Sequence, residues 1–294
     1  MTEDIAISII NYRTADMTIA ALTSVRAALG DRPARVVVVD NASGDGSADT
    51  IADWITSTAD PRLQLVRSDF NSGFSGGHNQ GMAAAPDADF YLILNSDAAL
   101  RPGFFAALLE AAAAHPEAGL LAPQLEWEDG TPQISCFRFA SPRSELERSA
   151  MSGPVTRLFK RYVTSLDMPV NPTEIEWMSF ACILLRGGMV RQIGPMDEGY
   201  FLYFEDAEYS LRARRAGWGC DMSRKPAPFT IGEDRARSRR CVPAKAGSRC
   251  ISGDPGRVSC VRLMALWARF WPILPGSRGG LWDGRVSCSV GRCH

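Results

Sequence analysis

Along the first 127 positions, short apolar runs alternate with longer stretches of helical spacing. "IAISII", from Ile5, predicts a strand, and "TADMTIAALTSVRAAL" predicts a helix beginning near Thr14. "ARVVVVD" is an uninterrupted β-branched run, the mark of a strand buried on both faces. A helix capped near Ser47 follows in "SADTIADWI", then a strand in "LQLVRS" and a helix opened by "GGHNQGMAAA". "DFYLILNSD", "GFFAALLEAAAAH" and "GLLAPQLEW" predict a strand, a helix and a further strand. Strands alternating with helices imply βαβ units, hence an α/β fold with a mostly parallel central sheet flanked by helices. Ligands in such sheets sit beyond the carboxyl ends of the strands. Polar residues just after each strand are therefore the candidates for chemistry.

Residues 128–175 are polar, proline-punctuated and aperiodic, and read as a long excursion with a short helix. "EIEWMSFACILLRGGMV" returns to strand character. It leads into "GYFLYFEDAEYSLRARRAGW", where an aromatic strand is expected to deliver Glu205 and Asp206 to the start of a basic helix. After about Arg224 the periodicity fades into Arg-, Gly-, Ser-, Pro- and Cys-rich text. That composition suits a disordered basic tail or a shifted reading frame of a GC-rich gene.

Composition narrows the function without choosing it. The chain has 294 residues, 46% hydrophobic and 22% charged, with a net charge of -1. That balance argues against nucleic acid as a partner. "MTEDIAISII" lacks the basic segment and long apolar core of a secretion signal, so the expected location is cytoplasmic, with reduced thiols. "LMALWARFWPIL", from Leu263, is too short to span a bilayer and contains Arg269. It is either an amphipathic surface segment, with peripheral membrane association, or a packed one. The eight cysteines include no paired CxxC arrangement, which gives a zinc site little support.

Four places hold residues suited to chemistry. Asp40 and Asn41 end the β-branched strand, where a carboxylate can accept a pyrimidine imide N–H or bind ribose; Asp, Asn, Ser and Gly also serve any tight turn. "NSGFSGGHNQG", Asn71 to Gly81, offers glycines for close backbone approach and a helix start for phosphate, but is neither GxGxxG nor a P-loop. Asn95 and Asp97, two apart in extended chain, suit Mg²⁺ or Mn²⁺ completed by phosphate oxygens, or an Asx-turn before Pro102. Glu205 and Asp206 complement the helix dipole, as Arg212, Arg214 and Arg215 do at the other end. The aromatic run before them favours a pocket in which one acid takes a proton from a bound hydroxyl.

Taken in order, "ISIINYR", "VVDNASGDGS", "NSGFSGGHNQG", "LILNSDAAL" and "GYFLYFEDAEYSLRARRAGW" resemble family 2 inverting glycosyltransferases of the GT-A (Rossmann-like) fold, nearest the bacterial rhamnosyltransferase-like branch. The resemblance covers roughly residues 5–220. It implies residues 1–223 as one domain, with a nucleotide-sugar half at 1–127 and an acceptor half at 128–223, followed by an irregular segment at 224–294. It implies a nucleotide-diphosphate donor, dTDP- or UDP-linked, and transfer of a sugar, rhamnose foremost, to a glycan or lipid-linked acceptor in cell-envelope polysaccharide synthesis. Ile10, Tyr12 and Asp40 then line the base and ribose pocket, with Asn41 supporting the turn. Asn71, Gly73, Gly77, His78 and Asn79 border the donor ribose and sugar, with Asn95 and Ser96 beside them. Asp97 matches the last acid of the metal-binding DxD motif, here Asn-Ser-Asp, for Mg²⁺ or Mn²⁺. Asp206, or less favoured Glu205, matches the catalytic base.

One departure stands out. The family's histidine after the basic helix has no counterpart in "RKPAPFTIGEDRARS", where Thr230 stands near its place. A catalytically impaired donor-binding relative is thus a second expectation. A sugar-phosphate nucleotidyltransferase is a third, although "ISIINYRTAD" lacks its glycine-rich opening.

Overall fold

Val36 to Val39 are all buried, alternating between two apolar layers on opposite faces of the strand they form, β2 (Arg35–Asp40). The computed structural model describes residues 3–127, 129–142, 144, 164–167, 170–222 and 229–231. The other strands are β1 (Ile5–Asn11), β3 (Leu63–Arg67), β4 (Phe90–Leu94), β5 (Ala98–Leu100), β6 (Ala118–Ala122), β7 (Cys136–Phe137), β8 (Trp177–Met178), β9 (Cys182–Arg186), β10 (Gly219–Met222) and β11 (Phe229–Ile231). The helices are α1 (Ala15–Leu29), α2 (Ser47–Thr58), α3 (Gly73–Ala83), α4 (Phe104–Ala114), α5 (Gly187–Ile193) and α6 (Glu205–Arg215).

Seven strands make the central sheet in the order β10-β6-β9-β4-β1-β2-β3. Neighbours are parallel except at β9, which runs antiparallel to both β4 and β6. The expected α/β class and mostly parallel sheet are what the chain forms. One apolar layer collects Ile5, Ile7, Ile9, Leu22, Val25, Phe104 and Leu108, so α1 and α4 cover that face. The other collects Val37, Val39, Ile183, Leu185, Met189 and Tyr209, beneath α5 and α6.

Helix α3 lies close on β1 because its glycines leave room. A Cβ on Gly77 would stand 2.7 Å from Ile10 Cδ1, and one on Gly81 would collide with Ser8 Oγ. Contact that close is tighter than side chains tolerate without displacement.

Several boundaries differ from the sequence reading. The third helix begins at Gly73, three residues before the "GGHNQGMAAA" expected to open it. β6 stops at Ala122 because Pro123 has no N–H for the ladder. "GGMV" belongs to α5, not to a strand: β9 ends at Arg186 and Gly187 turns the chain where any Cβ would strike the Ala88 carbonyl. The run expected as an aromatic strand, Phe201–Phe204, is an exposed loop. Phe229–Ile231, in text that looked aperiodic, form β11 against β5. The remainder of residues 224–294, with the apolar segment at 263–274, lies outside the described residues. Among the described residues no helix is long and apolar enough to cross a membrane.

A candidate active site at the carboxyl edge of the sheet

Parallel pairing brings the ends of β1, β2 and β4 to one edge. Asn11 is the register partner of Asp40, and Ile9 of Leu94, so Asp97 follows three residues beyond that edge. The start of antiparallel β9 lies at the same edge: Ala181 accepts a hydrogen bond from the Asn95 N–H. Helix α6 feeds β10, whose amino end is at the opposite edge. An 11-residue helix returns about 16 Å, which carries its first residues, Glu205 and Asp206, back to the carboxyl edge.

Asp40 is 4% exposed and heavily engaged. Its Oδ1 accepts from Asn11 Nδ2 (2.7 Å) and Ser43 Oγ (2.6 Å), and its Oδ2 from the Ser43 N–H (3.2 Å). Asn11 Oδ1 in turn accepts from Thr14 and Thr18. Asn11 and Ser43 are members the sequence reading missed. The signal was there, since an asparagine closing an otherwise apolar strand must find partners once buried. Outside this cluster the Tyr12 ring is 42% exposed, with the Arg13 guanidinium 5.1 Å from its centroid and Ile10 half-buried beside it.

Asn41 is a latch rather than a free donor. Its Nδ2 donates to Asn71 Oδ1 and the Gly73 carbonyl, at 2.9 and 3.0 Å, and its Oδ1 accepts from the Ser72 N–H and Oγ, at 3.0 and 3.1 Å. All its hydrogen-bonding capacity is used in holding the β3–α3 turn against the end of β2. Asn79 is similarly spent: it bonds both backbone groups of Met196 and the Glu198 carboxylate. His78, expected to border the donor, is fully buried under the helix instead. Its Nδ1 meets Ser8 Oγ at 2.9 Å, and burial pushes its pKa down to about 3, so it is a neutral packing group. The glycine spacing expected to border a ligand packs helix on sheet at Gly77, and Gly73, at φ 70°, keeps its place in the turn.

Asn95, Ser96 and Asp97 form the turn from β4 into β5, and all three are half-buried. Ser96 Oγ lies 3.5 Å from Thr14 Oγ1. β11 runs antiparallel to β5 with Thr230 opposite Ala99, so the backbone of residue 230 passes two positions beyond Asp97. Among the described residues no three His, Cys, Asp or Glu side chains converge as a metal cage. Asp97 fits a cation only as a lone protein carboxylate whose ion takes its remaining oxygens from a diphosphate and water, a normal arrangement for Mg²⁺.

The acid pair is the site's electrostatic anomaly. Glu205 is 7% exposed, with its Oε2 unpartnered among the described residues, while Asp206 is half-buried and accepts from the Ala207 N–H at 2.8 Å. Burial pushes Glu205 up to about 7, with the Asp206 charge adding to it, and pushes Asp206 up to about 6. The rest of α6 is anchored away from the edge. Tyr209 donates to the Gly194 carbonyl, and Arg212 bridges Glu208 and the Ile193 and Pro195 carbonyls. In front of the acids, Phe201–Phe204 stand exposed, yet the Phe201 carbonyl accepts from the Phe74 N–H at 2.8 Å. That bond ties the first turn of α3 to the loop that presents the acids.

Comparison with known proteins gives this geometry a context. The profile described as "Glycosyl transferase family 2" matches residues 5–163, more than half of the chain. Over 203 residues the chain is 30% identical to an N-acetylglucosaminyl-diphospho-decaprenol L-rhamnosyltransferase of Mycobacterium tuberculosis, an overlap covering 64% of this chain and 63% of that protein. The chain thus spans less than two thirds of that relative's length. Among solved structures it is similar to the mannosyltransferase PcManGT of Pyrobaculum calidifontis in complex with GDP-Man and Mn²⁺ (TM-score 0.52, 16% identity, 76% of this chain and 55% of that one). It is also similar to S. aureus TarS (TM-score 0.55, 17% identity, 79% and 37%). At such identities the likeness is one of fold, the GT-A arrangement of a mixed sheet flanked by helices.

Proposed function

Because this chain belongs to glycosyl transferase family 2, we propose that it is an inverting enzyme that moves rhamnose from a nucleotide-diphosphate donor to a lipid-linked sugar. A dTDP-linked donor is the first choice and a UDP-linked one the second. The Mycobacterium tuberculosis relative is named for an N-acetylglucosaminyl-diphospho-decaprenol acceptor, and an acceptor of that chemistry suits a role in envelope polysaccharide synthesis. Such work would be done at the cytoplasmic face of a membrane.

The observation that carries the reading is the Phe74–Phe201 backbone bond. It joins the nucleotide side of the edge, built on Tyr12, Asp40 and the Asn41 latch, to the acid pair. Asp206 is the base: it keeps the larger solvent-exposed surface of the two acids, and a carboxylate lifted to about 6 by burial is both ionised and basic near neutral pH. Its carboxylate takes the proton of the acceptor hydroxyl as that oxygen bonds to C1 of the sugar and the C1–oxygen bond to the diphosphate breaks. One displacement inverts C1, and no covalent enzyme intermediate forms. Glu205, almost wholly buried beside it, is raised to about 7 by burial and by the Asp206 charge, so it stays largely protonated where Asp206 first ionises. In this reading Asn95, Ser96 and Asp97, at the turn after β4, would face the diphosphate, and Asp97 would hold Mg²⁺ or Mn²⁺. That ion, when bound, supplies charge neutralisation for the departing diphosphate.

The test is release of nucleotide diphosphate from dTDP-, UDP- and GDP-sugars, with Mn²⁺ or Mg²⁺, in the presence and absence of an N-acetylglucosaminyl-diphospho-lipid. Acceptor-dependent release with an inverted anomeric centre in the product is expected. No release from any donor, with the donor nonetheless bound, replaces this reading with a second: a donor-binding relative without turnover. Thr230 favours that second reading, because its backbone runs beside the Asp97 turn where the family resemblance expects a histidine.

A further inference from the structure

We propose that the Phe201–Phe204 loop is the acceptor subsite, in which Tyr203 and Phe204 stack against a sugar ring whose reacting hydroxyl faces the acid pair. The proposal rests on the reaction assigned above and names what that reaction leaves open, the group that recognises the acceptor.

Phe201, Leu202, Tyr203 and Phe204 are consecutive and each more than half exposed, Tyr203 at 70%. A soluble surface keeps such a patch when something covers it in the working state. Tyr203 and Phe204 also have φ of 72° and 71°, the left-handed region that bulky side chains rarely enter. Strain of this kind persists at functional sites, where it fixes a side chain's direction. The base of the loop is well held, through the Phe74–Phe201 bond and through Gly73, where any Cβ would strike the Phe201 carbonyl. The strained tip leads directly into the acids.

Chemistry selects the occupant. A sugar ring has apolar C–H faces that pack on aromatic rings and hydroxyl edges that need acceptors, and this loop places aromatic rings immediately before two carboxylates. The partly exposed carboxylate of Asp206 is one such acceptor. An anionic membrane surface is a poor match, because Asp197 and Glu198 stand just before the loop and Glu205, Asp206 and Glu208 just after it. A neutral, hydroxylated ring suits both the apolar and the acidic side of the place.

The experiment uses the full chain and its Tyr203→Gly/Phe204→Gly variant. Glycine accepts the left-handed backbone, so the turn survives while the rings go. Two N-acetylglucosaminyl-diphospho acceptors are compared, one with a decaprenyl tail and one with a hexyl tail. KM for both acceptors is expected to rise about tenfold or more, donor Kd to stay within about twofold, and Tm to hold or rise. Unchanged KM for both overturns the proposal, and so does a rise confined to the decaprenyl acceptor, which would put the rings on the lipid. If the wild type transfers to neither, the assigned reaction fails on its own. Saturation-transfer NMR of the hexyl acceptor then decides the loop: ring contact in the wild type and its loss in the variant support it, and no wild-type contact overturns it.

Discussion

Phe74 and Phe201 meet through their backbones, N–H to carbonyl at 2.8 Å, across more than a hundred residues of sequence. The bond exists because Gly73, at φ 70°, lets the chain pass under the Phe201 carbonyl without a side chain. Gly73→Ala should therefore do more than strain one residue. The left-handed backbone alone costs about 1–2 kcal/mol, and the collision must separate the two loops. Thermal unfolding should fall by several degrees, and transfer should drop more steeply than donor affinity. Equal losses in both would mean that the junction serves only the donor side.

The two acids should separate in kinetics. Asp206→Asn is expected to lower kcat by roughly 10²–10⁴-fold, the usual worth of a general base, with donor Kd unchanged. Glu205→Gln should retain most of kcat, because that carboxyl is nearly inaccessible. In the wild type, kcat/KM should rise with pH and level off above about 6 as Asp206 ionises. The reverse ranking of the two variants would make Glu205 the base.

Stability should run against activity over the same range. Both acids have folded values raised above their ordinary ones, so between about pH 4 and pH 7 the folded chain holds more protons than the unfolded chain. By linkage the unfolding free energy then falls as pH rises through that window and flattens above it, by about 1–3 kcal/mol in all. Urea titrations at several pH values should show this slope, and Asp206→Asn/Glu205→Gln should flatten it. A slope that survives the double variant would have another origin.

Asn41→Ala should be among the most damaging polar truncations. It removes four hydrogen bonds from a largely buried turn and leaves the Ser72 N–H without its acceptor, while Asn71 Oδ1 keeps the Gly73 N–H and Ser72 Oγ keeps Gln80. At roughly 1 kcal/mol per lost bond, with a penalty for the groups left unpaired, about 2–4 kcal/mol is expected. Donor affinity should fall with it, because the latch places the start of α3. Calorimetry of unfolding and of donor binding checks both, and a loss under about 1 kcal/mol would mean that the turn stands without the latch.

The strands were legible where one feature decided them. "VVVVD" could only be buried on both faces, and the acids after "LILNSD" and "FLYF" had to sit near strand or helix ends. What misled was chemistry with two uses. Glycines inside α3 suggested ligand contact, yet Gly77 and Gly81 answer to Ile10 and Ser8 on the neighbouring strand, which no local pattern discloses. His78 has the composition of a site residue and the burial of a core residue. The aromatic run looked like a strand because strand propensity reflects packing against partners. Among the described residues no partner strand lies alongside, and the run turns through two left-handed residues instead. β11 was invisible because three residues pairing with β5 carry almost no periodicity.

β9 has a consequence for how the chain comes into being. It lies between β4 and β6, antiparallel to both, although both precede it by dozens of residues. While the protein is synthesised, β4 and β6 have no strand to join them, and their facing hydrogen-bonding edges stay open until Cys182–Arg186 emerge to fill the gap. Such late, long-range pairing slows folding and leaves strand edges free to capture other chains. A fragment ending near residue 127 would keep every residue proposed for the donor side and still lack the strand that joins β4 to β6. Chaperone dependence during expression, and insolubility of that fragment, belong to the same strand that fixes the edge on which the site is built.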